Sequence, residues 1–154
     1  MDSQRFADAA LVLLGHGSTQ HPDAGRPVFQ HAAALRRRGG FAVVREAFWK
    51  QAPRVEPVLR ELPRPRVFVV PLFLSEGYFS EAIIPRALGF PAAESAAIRV
   101  RVQPGRRWYY CQPIGSHPGM KKLLLARARE TLRAHPRGRR VRGRDVTLFV
   151  AGHG

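Results

Sequence analysis

Cysteine is nearly absent from this chain: Cys111 is the only one in 154 residues. A lone cysteine excludes an internal disulfide framework and a four-cysteine zinc site within the chain, and a small buried hydrophobe is its ordinary role. Lysine is almost as scarce, with Lys50, Lys121 and Lys122 the only three among 26 basic residues, against 11 acidic ones. The resulting formal charge of +15 attracts nucleic acid, anionic lipid or a polycarboxylate ligand alike, so it selects a class of partner rather than a partner. Long apolar runs are missing as well. None approaches the roughly 20 residues that span a bilayer, and the first, "FADAALVLLG", contains Asp8 and has no small-residue cleavage site behind it. A cytoplasmic chain without membrane contact is expected. No Walker-type or Gly-x-Gly-x-x-Gly motif is present, and no nucleotide cofactor is expected.

What the chain does have is a series of apolar, β-branched runs: 10–15, 41–49, 66–74, 98–103, 109–115 and 146–152. The first, third and last are nearly continuous rather than alternating, which suits strands covered on both faces in a parallel sheet. Helical patterns separate most of them. In "PVFQHAAALRRRGG", Phe29, Ala32, Ala33 and Leu35 share a face, Pro27 stands at the start and Gly39 in the stop position. Val55, Val58, Leu59 and Leu62 repeat at helical spacing, as do Met120, Leu123, Leu124, Ala128 and Leu132 before Pro136. Alternating strands and helices predict a three-layer α/β/α sandwich with a mostly parallel sheet.

In such folds ligands bind beyond the carboxyl ends of the strands. That rule selects His16, Ser18 and Thr19 after the first strand, Glu46 late in the second, Ser75 to Phe79 after the third, and His117 after the fifth. The arginine-rich stretch "HPRGRRVRGR" has no interleaved aromatics and sits between a helix and a strand; it reads as a solvated linker and weighs against a nucleic-acid partner.

Four segments, "LLGHGS", "VREAFWKQAPRVEPVL", "VVPLFLSEGYFSEAIIPRALG" and "QPIGSHPGMKKLLLARARE", occur in the order seen in CbiX/SirB-type sirohydrochlorin chelatases. From about residue 10 to its end the chain resembles that family. The resemblance implies a chelatase-like sandwich, a divalent metal (Co²⁺ or Fe²⁺) as substrate, a tetrapyrrole polycarboxylate as the other substrate, and a place in cobalamin or sirohaem synthesis.

By resemblance, His16 is a metal-binding and catalytic histidine, and Glu46 matches an acidic residue that completes the metal site or accepts a proton. A neutral imidazole suits both metal binding and proton abstraction near pH 7. Two alternatives stand beside these readings: His16 as a turn histidine, and Glu46 as a strand residue paired with Arg45 or another arginine. The family usually carries a second histidine two residues after Gly77 and an aspartate before the Ile-Pro; this chain has Phe79 and Ile83 there. With two ligands remaining, His117 is a candidate third, against its alternative as a helix-start residue beside Pro118. Ser18, Tyr78, Phe79 and Arg86 are the candidate macrocycle contacts, the aromatics by stacking and the arginine by pairing with carboxylates.

Long members of the family are two such halves in tandem. Here an apolar run ending in Gly-His-Gly recurs at 148–154. The expected organisation is a chelatase-like domain over 1–135, an arginine-rich linker over 136–145, and the first strand of a truncated second repeat over 146–154, against the alternative that 146–152 is one more strand of the same sheet with Gly-His-Gly as a frayed tail. The missing half, or a second copy in a homodimer, is then a candidate partner. Two functions remain open: a chelatase that inserts the metal, and a non-catalytic relative that holds metal or tetrapyrrole without its second ligand histidine.

Overall fold

The computed structural model describes residues 6–91, 98–135 and 143–149. The chain divides into two compact units, 1–116 and 117–154. The first unit is built on a five-stranded sheet: β1 (Ala9–Gly15), β2 (Val43–Phe48), β3 (Arg66–Pro71), β4 (Ile98–Gln103) and β5 (Arg106–Cys111), in the order β2-β1-β3-β5-β4. All neighbours pair in parallel except β4, which forms an antiparallel hairpin with β5. The expected α/β architecture with a mostly parallel sheet is what the chain adopts.

β1 is buried along its whole length, as its unbroken apolar run predicts for a central strand covered on both sides. Its odd residues Leu11 and Leu13 join Val28, Ala32, Val44 and Phe48 under helix α1 (Arg26–Arg38). Its even residues Val12 and Leu14 join the larger core of Val55, Leu59, Val69, Ile84 and Trp108, under α2 (Val55–Glu61) and α3 (Ile84–Ala87). Pro27 starts α1 and Gly39, at φ 72°, ends it where the sequence places them.

Two local features go beyond the sequence pattern. No helix separates 98–103 from 109–115: a turn with Gly105 at φ 71° folds β4 directly back onto β5, which begins at Arg106 and stops before Pro113. The segment after β3 is more than a loop, since it winds into a π-helical turn, Phe79–Ile83, that runs on into α3.

In the second unit α4 spans Gly119–Ala134, matching its predicted pattern. Residues 143–145 form a short 3-10 turn and 146–149 carry no regular structure. The remainder of the expected 146–152 strand, His153, and residues 136–142 of the expected linker lie outside the described residues.

Candidate active site at the carboxyl end of the sheet

The strand order fixes where a site can form. From β1 the chain crosses to β2 on one side and then returns to place β3 on the other. The carboxyl ends of β1 and β3 therefore flank a crevice of the kind that binds ligands in open α/β sheets. His16 follows β1, and residues 72–79 follow β3.

Gly15 is required by packing: a Cβ there would stand 2.8 Å from Val28 and 2.9 Å from Phe48. Gly17 turns the chain at φ 71°. The Gln51 side chain secures that turn by accepting the Ser18 N–H at 3.1 Å. The His16 carbonyl accepts the Lys50 N–H at 2.8 Å, which carries the β1–β2 pairing one step past the strand. The backbone of His16 is thereby fixed and its side chain is exposed.

His16 Nδ1 lies 3.0 Å from the Gly17 carbonyl oxygen. A carbonyl only accepts, so this contact favours the proton on Nδ1 and leaves the Nε2 lone pair for a metal or a proton. The imidazole meets the Phe79 ring edge-on, with centroids 5.9 Å apart and planes at 77°. Position 79, where the resemblance expects a second histidine, thus stands next to His16. Tyr78 is 74% exposed and Phe79 43%. These two adjacent exposed rings are suited to stacking on a flat ligand. Arg86 is exposed and has no ion-pair partner among the described residues.

Glu46 is elsewhere, and its expected place beside His16 is corrected. In β2 it shares a face with Val44 and Phe48, the face under α1. Its carboxylate is ion-paired with Arg36 of α1, whose Nε also donates to the Val44 carbonyl at 3.0 Å. Glu46 is in register with Leu13, three residues short of His16, or roughly 10 Å along the strand. His16 instead leans toward Phe79, whose turn packs through Ser80 and Ile84 on the opposite face. The arginine-paired alternative for Glu46 is the one the geometry favours, with Arg36 as partner.

Ser18 Oγ accepts the N–H groups of Gln20 and His21, at 3.1 and 3.0 Å, which makes it a loop-closing residue. In the second unit His117 Nδ1 accepts the Gly119 N–H at 3.0 Å. That bond requires a lone pair on Nδ1 and puts the proton of the neutral ring on Nε2, the reverse of His16. His117 is locally a helix-start residue. Among the described residues no group of three His, Cys, Asp or Glu side chains is placed to hold a metal.

Sequence reasoning missed Gln51 and Tyr110. Gln51 carries no signal beyond its nearness to the second strand. Tyr110 Oη donates to the Ser80 carbonyl at 2.8 Å, and burial pushes its phenol well above the usual range, with Glu81 adding to the rise. A separate concavity of about 260 Å³, bordered by Leu59, Leu88, Arg101 and Trp108, lies toward the amino end of the sheet, since Trp108 pairs with Val67 near the start of β3.

The CbiX family model matches residues 10–131. A protein of Halobacterium salinarum named a probable sirohydrochlorin cobaltochelatase is 39% identical over 94% of this chain. The chain spans 52% of that relative's length. A multi-domain protein of Deinococcus radiodurans, described as structurally similar to chelatases with two additional domains, superimposes with a TM-score of 0.74 at 41% identity, over 86% of this chain and 30% of its own. The sirohydrochlorin chelatase SirB of Bacillus subtilis subspecies spizizenii, solved with cobalt, shares the fold at a TM-score of 0.60 and 22% identity, over 80% of this chain and 50% of its own.

Proposed function

The chain belongs to the CbiX family, and on that premise we propose that it brings a divalent metal ion, Co²⁺ or Fe²⁺, together with a sirohydrochlorin-type tetrapyrrole at the carboxyl ends of β1 and β3. One observation carries the reading: an exposed His16, its Nε2 lone pair directed away from its own backbone contact, stands beside the aromatic surface of Tyr78 and Phe79. Metal insertion removes two pyrrole protons as the ion enters the ring, so it needs a ligand that holds and releases the metal and a base that accepts protons. His16 supplies the imidazole for these tasks. Tyr78 and Phe79 supply a stacking surface, and Arg86 a cation for the macrocycle's carboxylates.

Phe79 favours a second reading, in which this chain holds metal or tetrapyrrole but inserts slowly. A phenyl ring neither ligates nor moves a proton, and catalytic metal sites ordinarily draw on about three protein ligands. The test is anaerobic incubation with sirohydrochlorin and Co²⁺, followed by the absorbance change of metallation. Slow turnover that rises at least about tenfold in Phe79→His and vanishes in His16→Ala supports insertion at this site. Bound sirohydrochlorin with no metallation by either the parent chain or Phe79→His selects the holding role. Failure to bind sirohydrochlorin at all overturns both.

A further inference from the structure

The π-turn that presents Phe79 leaves one of its backbone carbonyls without a helical partner. In its i→i−5 register the Ile84 N–H donates to the Phe79 carbonyl, and the next donor, to Ser80, would be residue 85. Residue 85 is proline and has no N–H. A buried carbonyl left so is costly, and Ser80 is only 2% exposed. The hydroxyl of Tyr110, reaching in from β5, takes the vacant position at 2.8 Å.

The same hairpin grips the segment at two further points. Arg99 of β4, a buried residue, pairs with Glu81 at 3.1 Å, and Arg101 donates to the Leu88 carbonyl at the end of α3. Ser80 Oγ closes the turn from inside, donating to the Gly77 carbonyl and accepting its N–H, at 3.1 and 3.0 Å. π-turns are uncommon and concentrate at functional sites, and this one begins at the residue whose ring meets His16.

We propose that Tyr110 and the Arg99–Glu81 pair are positioning residues of the His16 site: they hold the π-turn so that residue 79 stands against the imidazole. That the place is a site rests on the chelatase reading above; the positioning does not. Tyr110 supplies the donor that Pro85 lacks. Arg99 and Glu81 fix the first turn laterally, and a slip of this turn into α-helical register would rotate position 79 away from His16.

The experiment needs neither metal nor tetrapyrrole, so its failure is distinct from failure of the chelation reading. In histidine-labelled protein the ring-proton resonances of His16 are identified by their loss in His16→Gln, and Phe79→Ala gives their position without the neighbouring ring. Tyr110→Phe, which deletes only the hydroxyl, should carry the His16 resonances most of the way to the Phe79→Ala position while those of His21 and His31 stay in place. If Tyr110→Phe does not fold, Glu81→Gln is read in the same way. Unmoved His16 resonances with a lowered thermal midpoint would assign these groups to stability alone and overturn the proposal. So would a Phe79→Ala variant whose His16 resonances match the parent's.

Discussion

The two faces of the sheet use their polar residues in opposite ways. Under α1, Glu46 is tied to Arg36, and the Arg36 guanidinium also secures the backbone of edge strand β2 at Val44. Under α2 and α3 the core is larger, yet its carboxyl end stays open, with His16 and Phe79 exposed side by side. One face uses its carboxylate to close an edge, and the other keeps its imidazole available. A chemistry-bearing residue type late in a strand is therefore not yet a site residue, because the face it occupies decides its partner.

The largest effect that would break this comparison belongs to packing. Phe48 is fully buried under α1, against Val28, Phe29 and Gly15, so Phe48→Ala should cost about 3–5 kcal/mol in urea unfolding. The Tyr78–Phe79 surface, which packs on the opposite face, should keep its ligand contacts wherever the variant remains folded. A loss of only a few tenths of a kcal/mol would mean that α1 does not cover that face.

How much of this was legible in the residues differs by level. The unbroken runs of β1 and β3 announced central parallel strands, and Pro27 with Gly39 bracketed α1. Parity along each strand was legible too: Glu46 shares it with Val44 and Phe48, which sit under α1. The register that sets Glu46 beside Leu13, and the face on which each parity lies, depend on long-range packing that no local pattern encodes. The π-turn was hidden for a similar reason. Pro85 advertises a helix start or a break, and only Tyr110, distant in sequence, makes the freed Ser80 carbonyl tolerable.

A smaller effect sharpens the comparison from the α1 side. Arg36 is 41% exposed and Glu46 18%, so solvent screens their pair, and Glu46→Gln should cost less than about 1 kcal/mol. That loss should shrink further as salt is raised. A cost of several kcal/mol, unaffected by salt, would mean the carboxylate does more than close the edge.

The smallest effect concerns Cys111, whose thiol burial pushes up to about 11 from an ordinary 9.0. The folded state thus favours the neutral thiol. Its stabilising contribution is complete below the ordinary thiol range and is lost as pH rises through about 11. Alkylation by iodoacetamide at pH 8 should be slow in the folded chain and fast in urea. Equal rates in the two would show that the thiol is not shielded.

The central proposal is that metal handling belongs to the face of His16 and position 79 and not to Glu46. Co²⁺ titrations in the Phe79→His background, followed by the visible absorption of the bound ion, test it most directly. Adding His16→Ala should abolish binding, whereas adding Glu46→Gln should leave the affinity within about twofold, far less than the roughly 10–100-fold loss typical of a residue that supports a metal site. Equal loss of binding in the two would contradict the account and return Glu46 to the site.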